Sequence, residues 1–266
     1  MLRKVILAPL RLLYTLWVGV AFAAVASTAC LLLVLPRLPQ RRAAARALAR
    51  AFFTLAGMPL EVRHAEHLPA GQCVLVCNHA SYLDGIVLTA VLPPHFSFVI
   101  KREMARVPVM GAALERLGSQ FVERFDRNRG AADARRVLRN ATQGNSVVFF
   151  PEGTFTPAPG LLKFHLGAFV TAVRVGCPLV PAAVRGTRRA LPPSGGLPRP
   201  GRIQLEILAP LSAAGGSDDP HAAAALRDRA RGAILAALGE PDLTCCDDTD
   251  RPPDTAHARS APASRP

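Results

Sequence analysis

Two residue patterns alternate between residues 73 and 184, and this alternation constrains the fold more than any other feature of the sequence. Short apolar or β-branched runs occur at 73–77, 96–100, 119–122, 146–150 and 179–184, with helical stretches between them at 83–92, 109–117, 130–142 and 166–175. Parallel strands need long crossovers, which are usually helices. The alternation therefore predicts a single α/β domain with a largely parallel central sheet flanked by helices.

Residues 12–35 form a run of 24 residues without a charge, with cations on both sides. About 20 apolar residues suffice to span the hydrocarbon core of a bilayer. The run predicts an N-terminal membrane helix, either spanning or in a membrane-embedded hairpin. Residues 24–26 resemble a signal-peptide cleavage site, but the apolar run continues after them, which favours an uncleaved anchor. More cations follow the run than precede it, which favours an inner-membrane protein whose main body faces the cytoplasm.

These patterns divide the chain into three parts. Residues 1–40 are the anchor, residues 41–239 the α/β domain, and residues 240–266 a tail whose composition predicts disorder. The domain ends with a predicted strand at 203–208 and a helix near 220–238, and it begins with an amphipathic helix at 41–56.

The helix predicted at 41–56 carries a cation at every fourth position, namely Arg42, Arg46 and Arg50. Such a row suits the headgroups of an anionic membrane. A solvated face of an ordinary helix is the other interpretation, and the sequence does not decide between them.

The formal net charge of +13 is compatible with nucleic acid, anionic lipid or an anionic substrate as a partner. Residues 171–202 contain six arginines and no acidic residue, but only Phe169 supplies a nearby aromatic ring and no nucleic-acid motif is present. We therefore expect no nucleic-acid partner. The six cysteines lack the spacing of a metal site, which favours a reduced cytoplasmic environment and no bound metal.

A group of polar residues, Asn78, His79, Ser81 and Asp84, separates two apolar runs. Ser81 and Asp84 have the spacing of a capping box, which is a structural role. The same geometry also allows Asp84 to orient His79, whose other ring nitrogen then removes a proton from a hydroxyl. No Gly-x-Ser-x-Gly elbow is present, so the nucleophile need not belong to the protein and can be a substrate alcohol.

Two other predicted strands also end in polar residues. Arg124 follows one of them, and Glu152, Gly153 and Thr154 follow the other. Open parallel sheets gather ligands at the carboxyl ends of their strands. We therefore expect these residues to converge with His79 on one crevice.

The polar groups belong to four ordered motifs, NHASYLD at 78–84, GSQFVER at 118–124, FPEGT at 150–154 and a valine-proline segment at 179–184. They resemble the four sequence blocks of the membrane-associated glycerolipid acyltransferases, particularly the lysophosphatidate (1-acylglycerol-3-phosphate) acyltransferases. The first two blocks read NHxSxxD and GxxFxxR in that family. The resemblance covers roughly residues 60–210.

The resemblance implies acyl transfer from acyl-CoA or acyl-ACP to the free hydroxyl of a lysophospholipid, giving phosphatidic acid from 1-acyl-sn-glycerol-3-phosphate. His79 is then the general base and Asp84 its orienting partner. The acyl thioester is a co-substrate that is already activated, so no cofactor or metal is expected, and membrane lipids are the expected partners. The resemblance further implies a set of substrate-binding residues and a pair of acyl-contacting residues: Asn78, Ser81, Arg124, Glu152, Gly153 and Thr154, and Val180 with Pro181.

Two departures from the family pattern concern the acceptor. Phe155 follows EGT where the family often has arginine, and residues 164–168 read FHLGA where it often has cations. Another lyso-lipid, such as lyso-ornithine lipid, is therefore an alternative acceptor. A hydrolase that uses water at His79, and a non-catalytic lipid-binding membrane protein, are the remaining alternatives.

Overall fold

The computed structural model describes residues 2–123, 127–212 and 221–244. The strands are β1 Leu60–Arg63, β2 Val74–Cys77, β3 Phe96–Lys101, β4 Gln120–Val122, β5 Ser146–Phe149, β6 Leu179–Arg185 and β7 Ile203–Ile207. The helices are α1 Leu2–Leu32, α2 Leu38–Leu55, α3 Leu83–Val91, α4 Met110–Arg116, α5 Arg127–Thr142, α6 Gly167–Val175, α7 Thr187–Ala190 and α8 Ala222–Leu238. Two short 3₁₀ helices lie at Ala65–His67 and Arg102–Arg106.

The seven strands form one sheet in the order β1-β7-β6-β2-β5-β3-β4. Neighbouring strands are parallel except β6 and β7, which are antiparallel. The predicted α/β domain with a largely parallel sheet is thereby confirmed. The order places β2 in the middle, between β5 and β6, so the residues that follow β2 emerge at the centre of the sheet's carboxyl edge.

Strand β1 was not expected from the sequence. Two of its four residues, Glu61 and Arg63, are charged, so it lacks the apolar pattern of the buried strands. It lies at the edge of the sheet and pairs with β7 alone. An edge strand needs less apolar surface than a central one, because one of its sides remains open to solvent.

The core lies on both faces of the sheet, and successive residues of β2 point to opposite faces. Leu75 and Cys77 pack in a cluster with residues of α2 and α3. Val74 and Val76 pack in a second cluster with residues of α6 and α8. All four are fully buried, so β2 is covered on both sides and the loop after it has a rigid base.

Helix α1 packs along α2. The Tyr14 hydroxyl donates to the carbonyl of Ala56 (2.8 Å), and the Trp17 indole donates to that of Leu55 (2.8 Å). Within the described residues, one helical segment, Pro9–Leu32, is long and apolar enough to cross a membrane, and only 11% of its most apolar window is buried. The face of α1 that points away from the domain is therefore an exposed apolar surface.

The arginine row of α2 binds backbone carbonyls at the ends of other helices. Arg46 donates to Val91 (2.9 Å) and Arg50 to Ala90 (2.8 Å), both in the last turn of α3. Arg42 donates to Leu117, directly after α4 (2.8 Å). The sequence suggested lipid headgroups or solvent as the partners of this row. Helix ends, however, leave carbonyls without intrahelical partners, and the negative end of the helix dipole attracts cations.

We expect Arg42→Ala to destabilise the domain, because its guanidinium also donates to the carbonyls of Pro94 and Gly118 and so joins α2 to two loops. Hydrogen bonds from charged groups contribute about 2 kcal/mol, which corresponds to a fall in melting temperature of roughly 5 °C. Thermal unfolding in detergent measures the effect. Arg37→Ala is the control, since it removes one cation that has no side-chain capping bond. Equal melting temperatures for the two variants would contradict the assignment.

Candidate active site

The loop between β2 and α3 is fastened to the neighbouring strand by Asn78. Its amide oxygen accepts from the backbone N–H of Val184 (2.7 Å), and its amide nitrogen donates to the carbonyl of Val184 (3.0 Å). Asn78 is buried. Both polar atoms are therefore engaged with β6, and this side chain, predicted to bind substrate, positions the loop.

His79 and Asp84 form the predicted pair. The Nδ1 atom of His79 lies 2.8 Å from Oδ2 of Asp84, which is fully buried, whereas the imidazole is 19% exposed. Because an ionised carboxylate only accepts hydrogen bonds, this contact favours the tautomer of the neutral ring that has its proton on Nδ1 and its free lone pair on Nε2. This is the state that a general base requires.

The same oxygen of Asp84 also caps the loop. Oδ2 accepts from the backbone N–H groups of Ala80 (2.6 Å) and Ser81 (2.8 Å). The Ser81 hydroxyl accepts from Leu83 (3.3 Å) and donates to the carbonyl of Leu191 (2.8 Å). The geometry is compatible with both the structural and the chemical interpretation of this motif, and Ser81, predicted to bind substrate, is buried as part of the cap.

Glu152 is buried beside His79 and both its oxygens accept from backbone groups. Oε1 accepts from the N–H of His79 (2.6 Å) and Oε2 from that of Leu162 (2.9 Å). Burial raises the pKa of this carboxyl to about 7, since desolvation outweighs the two hydrogen bonds. Glu152 thereby holds the segment after β5 against the loop between β2 and α3.

Gly153 allows the chain to reverse direction after Glu152. Its φ of 76° is in the left-handed region, which glycine adopts without steric cost, and its N–H donates to the carbonyl of Phe150 (3.1 Å). Thr154 follows at the exposed surface of this turn. The turn brings Phe150 and Phe155 to the same side chain, His79.

Two aromatic rings contact the imidazole and a third packs against one of them, and the sequence did not predict any of the three as part of the site. Phe150 stacks on the His79 ring with centroids 4.3 Å apart, and Phe155 meets it edge-on at 4.4 Å. Tyr82 packs against Phe155 at 4.9 Å. Phe155 stands where the family often has arginine, and the sequence did not predict its contact with His79.

The remaining predicted residues do not join this cluster in the described part of the chain. Val180 and Pro181 lie inside β6, buried and paired with Leu75 and Val76 of β2, so they belong to the core. Arg124 lies outside the described residues. Arg185, the last residue of β6, pairs with Glu206 (3.0 Å), and Arg188, in α7, pairs with Glu240 (2.6 Å).

Comparison with known proteins supports the resemblance to the membrane-associated glycerolipid acyltransferases. A sequence model of the acyltransferase family matches residues 59–185. A 1-acyl-sn-glycerol-3-phosphate acyltransferase of Pseudomonas aeruginosa is 31% identical over 190 residues, which cover 70% of this chain and 71% of that protein. A chloroplastic 1-acyl-sn-glycerol-3-phosphate acyltransferase of Brassica napus is 32% identical over 154 residues, which cover 57% of this chain and 44% of that protein. The chain thus spans less than half of the plant relative's length.

Two further similarities concern acceptor and fold. A lyso-ornithine lipid O-acyltransferase of Pseudomonas aeruginosa is 30% identical over 141 residues, which cover 52% of each chain. The crystal structure of the 1-acyl-sn-glycerophosphate acyltransferase of Thermotoga maritima has a TM-score of 0.66 at 20% identity, and the match covers 85% of this chain and 95% of that one. The structural similarity shows a shared fold.

We expect Glu152→Gln to change how stability depends on pH. The carboxyl pKa rises from 4.5 to about 7 on folding, so between these values the folded state keeps a proton that the unfolded state has lost. The free energy of unfolding therefore falls as the pH rises through this window, by at most about 3 kcal/mol. Glutamine does not titrate and lacks this slope.

The measurement is the melting temperature of wild type and Glu152→Gln in detergent at pH 5 and pH 8. Wild type should lose stability relative to the variant at the higher pH. Glu115→Gln, which removes an exposed carboxyl, serves as the control and should keep the wild-type slope. A difference between wild type and Glu152→Gln that is the same at both pH values would refute the expectation.

Proposed function

The chain belongs to the 1-acyl-sn-glycerol-3-phosphate acyltransferase family, and from this we propose that it transfers a fatty acyl group from an acyl thioester to the free hydroxyl of a lysophospholipid. The observation that carries the proposal is the pairing of part-exposed His79 with the buried carboxylate of Asp84 at the centre of the sheet's carboxyl edge. The acceptor is 1-acyl-sn-glycerol-3-phosphate and the product phosphatidic acid.

The reaction uses the imidazole twice. Nε2 of His79 removes the proton of the acceptor hydroxyl while the hydroxyl oxygen attacks the thioester carbonyl carbon. Asp84 stabilises the imidazolium that forms. The C–S bond then breaks, and the imidazolium returns the proton to the departing thiolate. Because the thioester of coenzyme A or acyl carrier protein is already activated, the proposed reaction requires no metal or other cofactor.

Membrane location is supported by the exposed apolar face of α1, where Leu12, Leu13 and Leu16 are each more than 60% exposed. Contacts with the domain occur from Tyr14, which donates to the Ala56 carbonyl (2.8 Å), to Leu33 directly after the helix, whose carbonyl accepts from Arg116 (2.8 Å). At 1.5 Å per residue this contact extends over about 28 Å, close to the whole hydrocarbon thickness.

Because the domain contacts α1 along such a length, a membrane-embedded hairpin is favoured over an isolated spanning helix. We infer that α1 and α2 insert together into one leaflet of the inner membrane with the domain on the cytoplasmic side. The greater number of cations after the apolar run than before it supports this orientation.

A second acceptor is favoured by the charges near the site. Arg185 and Arg188 are paired with carboxylates, and the ring of Phe155 lies against His79. Paired arginines attract an anionic headgroup less than free ones, so a lyso-lipid with lower net negative charge than lysophosphatidate is the alternative. The similarity to a lyso-ornithine lipid O-acyltransferase supports that class.

We expect His79→Ala to lower the rate of ester formation by about a hundredfold to ten-thousandfold, because the general base is lost. The assay supplies labelled acyl-CoA and 1-acyl-sn-glycerol-3-phosphate to membranes that contain the protein. His64→Ala is the matched control, since this exposed histidine follows the edge strand β1. Survival of most of the activity in His79→Ala would exclude His79 as the general base and with it the proposed mechanism, whereas no ester formation by wild type would favour a non-catalytic lipid-binding role.

The acceptor is tested by offering purified protein an equimolar mixture of lysophosphatidate and lyso-ornithine lipid with labelled acyl thioester. We expect phosphatidic acid to be the main product, and mass spectrometry identifies it. A predominance of acylated ornithine lipid would assign the protein to the second acceptor class. The comparison of acyl-CoA with acyl-ACP in the same assay identifies the donor.

A further inference from the structure

We propose that Phe155, supported by Tyr82, keeps water away from His79 and thereby directs the acyl group to a lipid hydroxyl instead of to water. This inference rests on the proposed function and names a determinant of its outcome. A base that activates an alcohol also activates water, so an acyltransferase of this kind needs a feature that prevents hydrolysis of its thioester.

The contacts around the imidazole show how this exclusion is built. Phe150 covers one face of the His79 ring, and Phe155 lies against it edge-on, at centroid distances of 4.3 and 4.4 Å. Together with the Asp84 contact they leave 19% of the side chain exposed. On these two sides the imidazole is thus covered by apolar rings, which offer water no hydrogen-bond partner.

Of the two rings that contact His79, Phe155 is supported by a residue on the solvent side. Tyr82 packs perpendicular to it, with an interplanar angle of 87°, and is itself 64% exposed at the start of α3. Phe150, in contrast, directly follows the buried strand β5 and is positioned by the sheet. Phe155 therefore forms the outer wall of the enclosure, and Tyr82 supports it on the solvent side.

Glu152 connects this wall to the base. Its Oε1 atom accepts from the backbone N–H of His79, and its Oε2 atom accepts from Leu162 on the far side of the turn. The turn that carries Phe155 is therefore fixed relative to the imidazole. An aromatic ring on such a turn shields the base continuously, without a separate closing motion.

Hydrolysis without this wall would follow the same steps as transfer. Nε2 of His79 removes a proton from water, the oxygen forms a bond to the thioester carbonyl carbon, the C–S bond breaks, and the thiolate takes the proton. The products are a free fatty acid and the thiol. The ratio of free fatty acid to lipid ester therefore reports how well the site excludes water.

The test compares Phe155→Ala and Tyr82→Ala with the conservative variants Phe155→Leu and Tyr82→Phe. Each purified protein receives labelled acyl-CoA and lysophosphatidate in water enriched in oxygen-18, and both products are quantified. We expect Phe155→Ala to raise the ratio of fatty acid to ester by roughly tenfold, and Tyr82→Ala to raise it less. The leucine and phenylalanine variants should keep a ratio near that of wild type, and the fatty acid should contain oxygen-18.

The outcomes separate this inference from the function on which it rests. A merely structural role for Phe155 lowers both products together and leaves their ratio unchanged, which would overturn the inference while ester formation by wild type still supports acyl transfer. If Phe155→Ala does not fold, the ratio of fatty acid to ester in Tyr82→Ala tests the inference in the same way. No ester from wild type with either acceptor class, while fatty acid is released, would instead overturn the proposed function and identify a hydrolase.

Discussion

One carboxylate oxygen connects the fold of this protein to its chemistry. Oδ2 of Asp84 accepts three N–H groups, from the His79 ring and from the backbone of Ala80 and Ser81. A carboxylate oxygen suits three donors at distances of 2.6 to 2.8 Å, so the loop conformation and the orientation of the imidazole depend on the same acceptor. The start of helix α3 and the reactivity of the imidazole are therefore not separable properties.

The buried polar groups around this oxygen hold the loop from three directions. Asn78 fastens it to β6 through Val184, Glu152 fastens it to the turn after β5, and Asp84 fastens it to α3. Each of these three side chains is less than 5% exposed. Buried polar groups with hydrogen-bond partners rigidify a site, because releasing any one of them would leave an unsatisfied group in the core. For the general base that we propose, a site held this firmly means that little rearrangement is needed before the base acts.

What the sequence predicted and what it did not can be explained by distance along the chain. The strand and helix alternation and the His79–Asp84 pair are local patterns, since the pair is separated by only five positions. The contact of Glu152 with His79 joins residues 73 positions apart and uses a backbone N–H, which no residue type reveals. The enclosure by Phe155 depends equally on the turn at Gly153. Strand β1 was not predicted because edge strands tolerate charged residues, which hide the apolar pattern of a strand. Arg124 lies outside the described residues.

The net charge of +13 also has a structural explanation, which limits what it says about partners. Many arginines donate to backbone carbonyls of the fold itself, among them Arg42, Arg46, Arg50, Arg116, Arg136 and Arg231. A guanidinium has five N–H donors in a planar fork, so it can satisfy several carbonyls at a helix end or loop where no backbone N–H is available. Positive charge used in this way joins helices and loops together. It follows that the excess of arginine over acidic residues does not by itself indicate a polyanionic ligand, and headgroup recognition has to be judged from the few residues that surround His79.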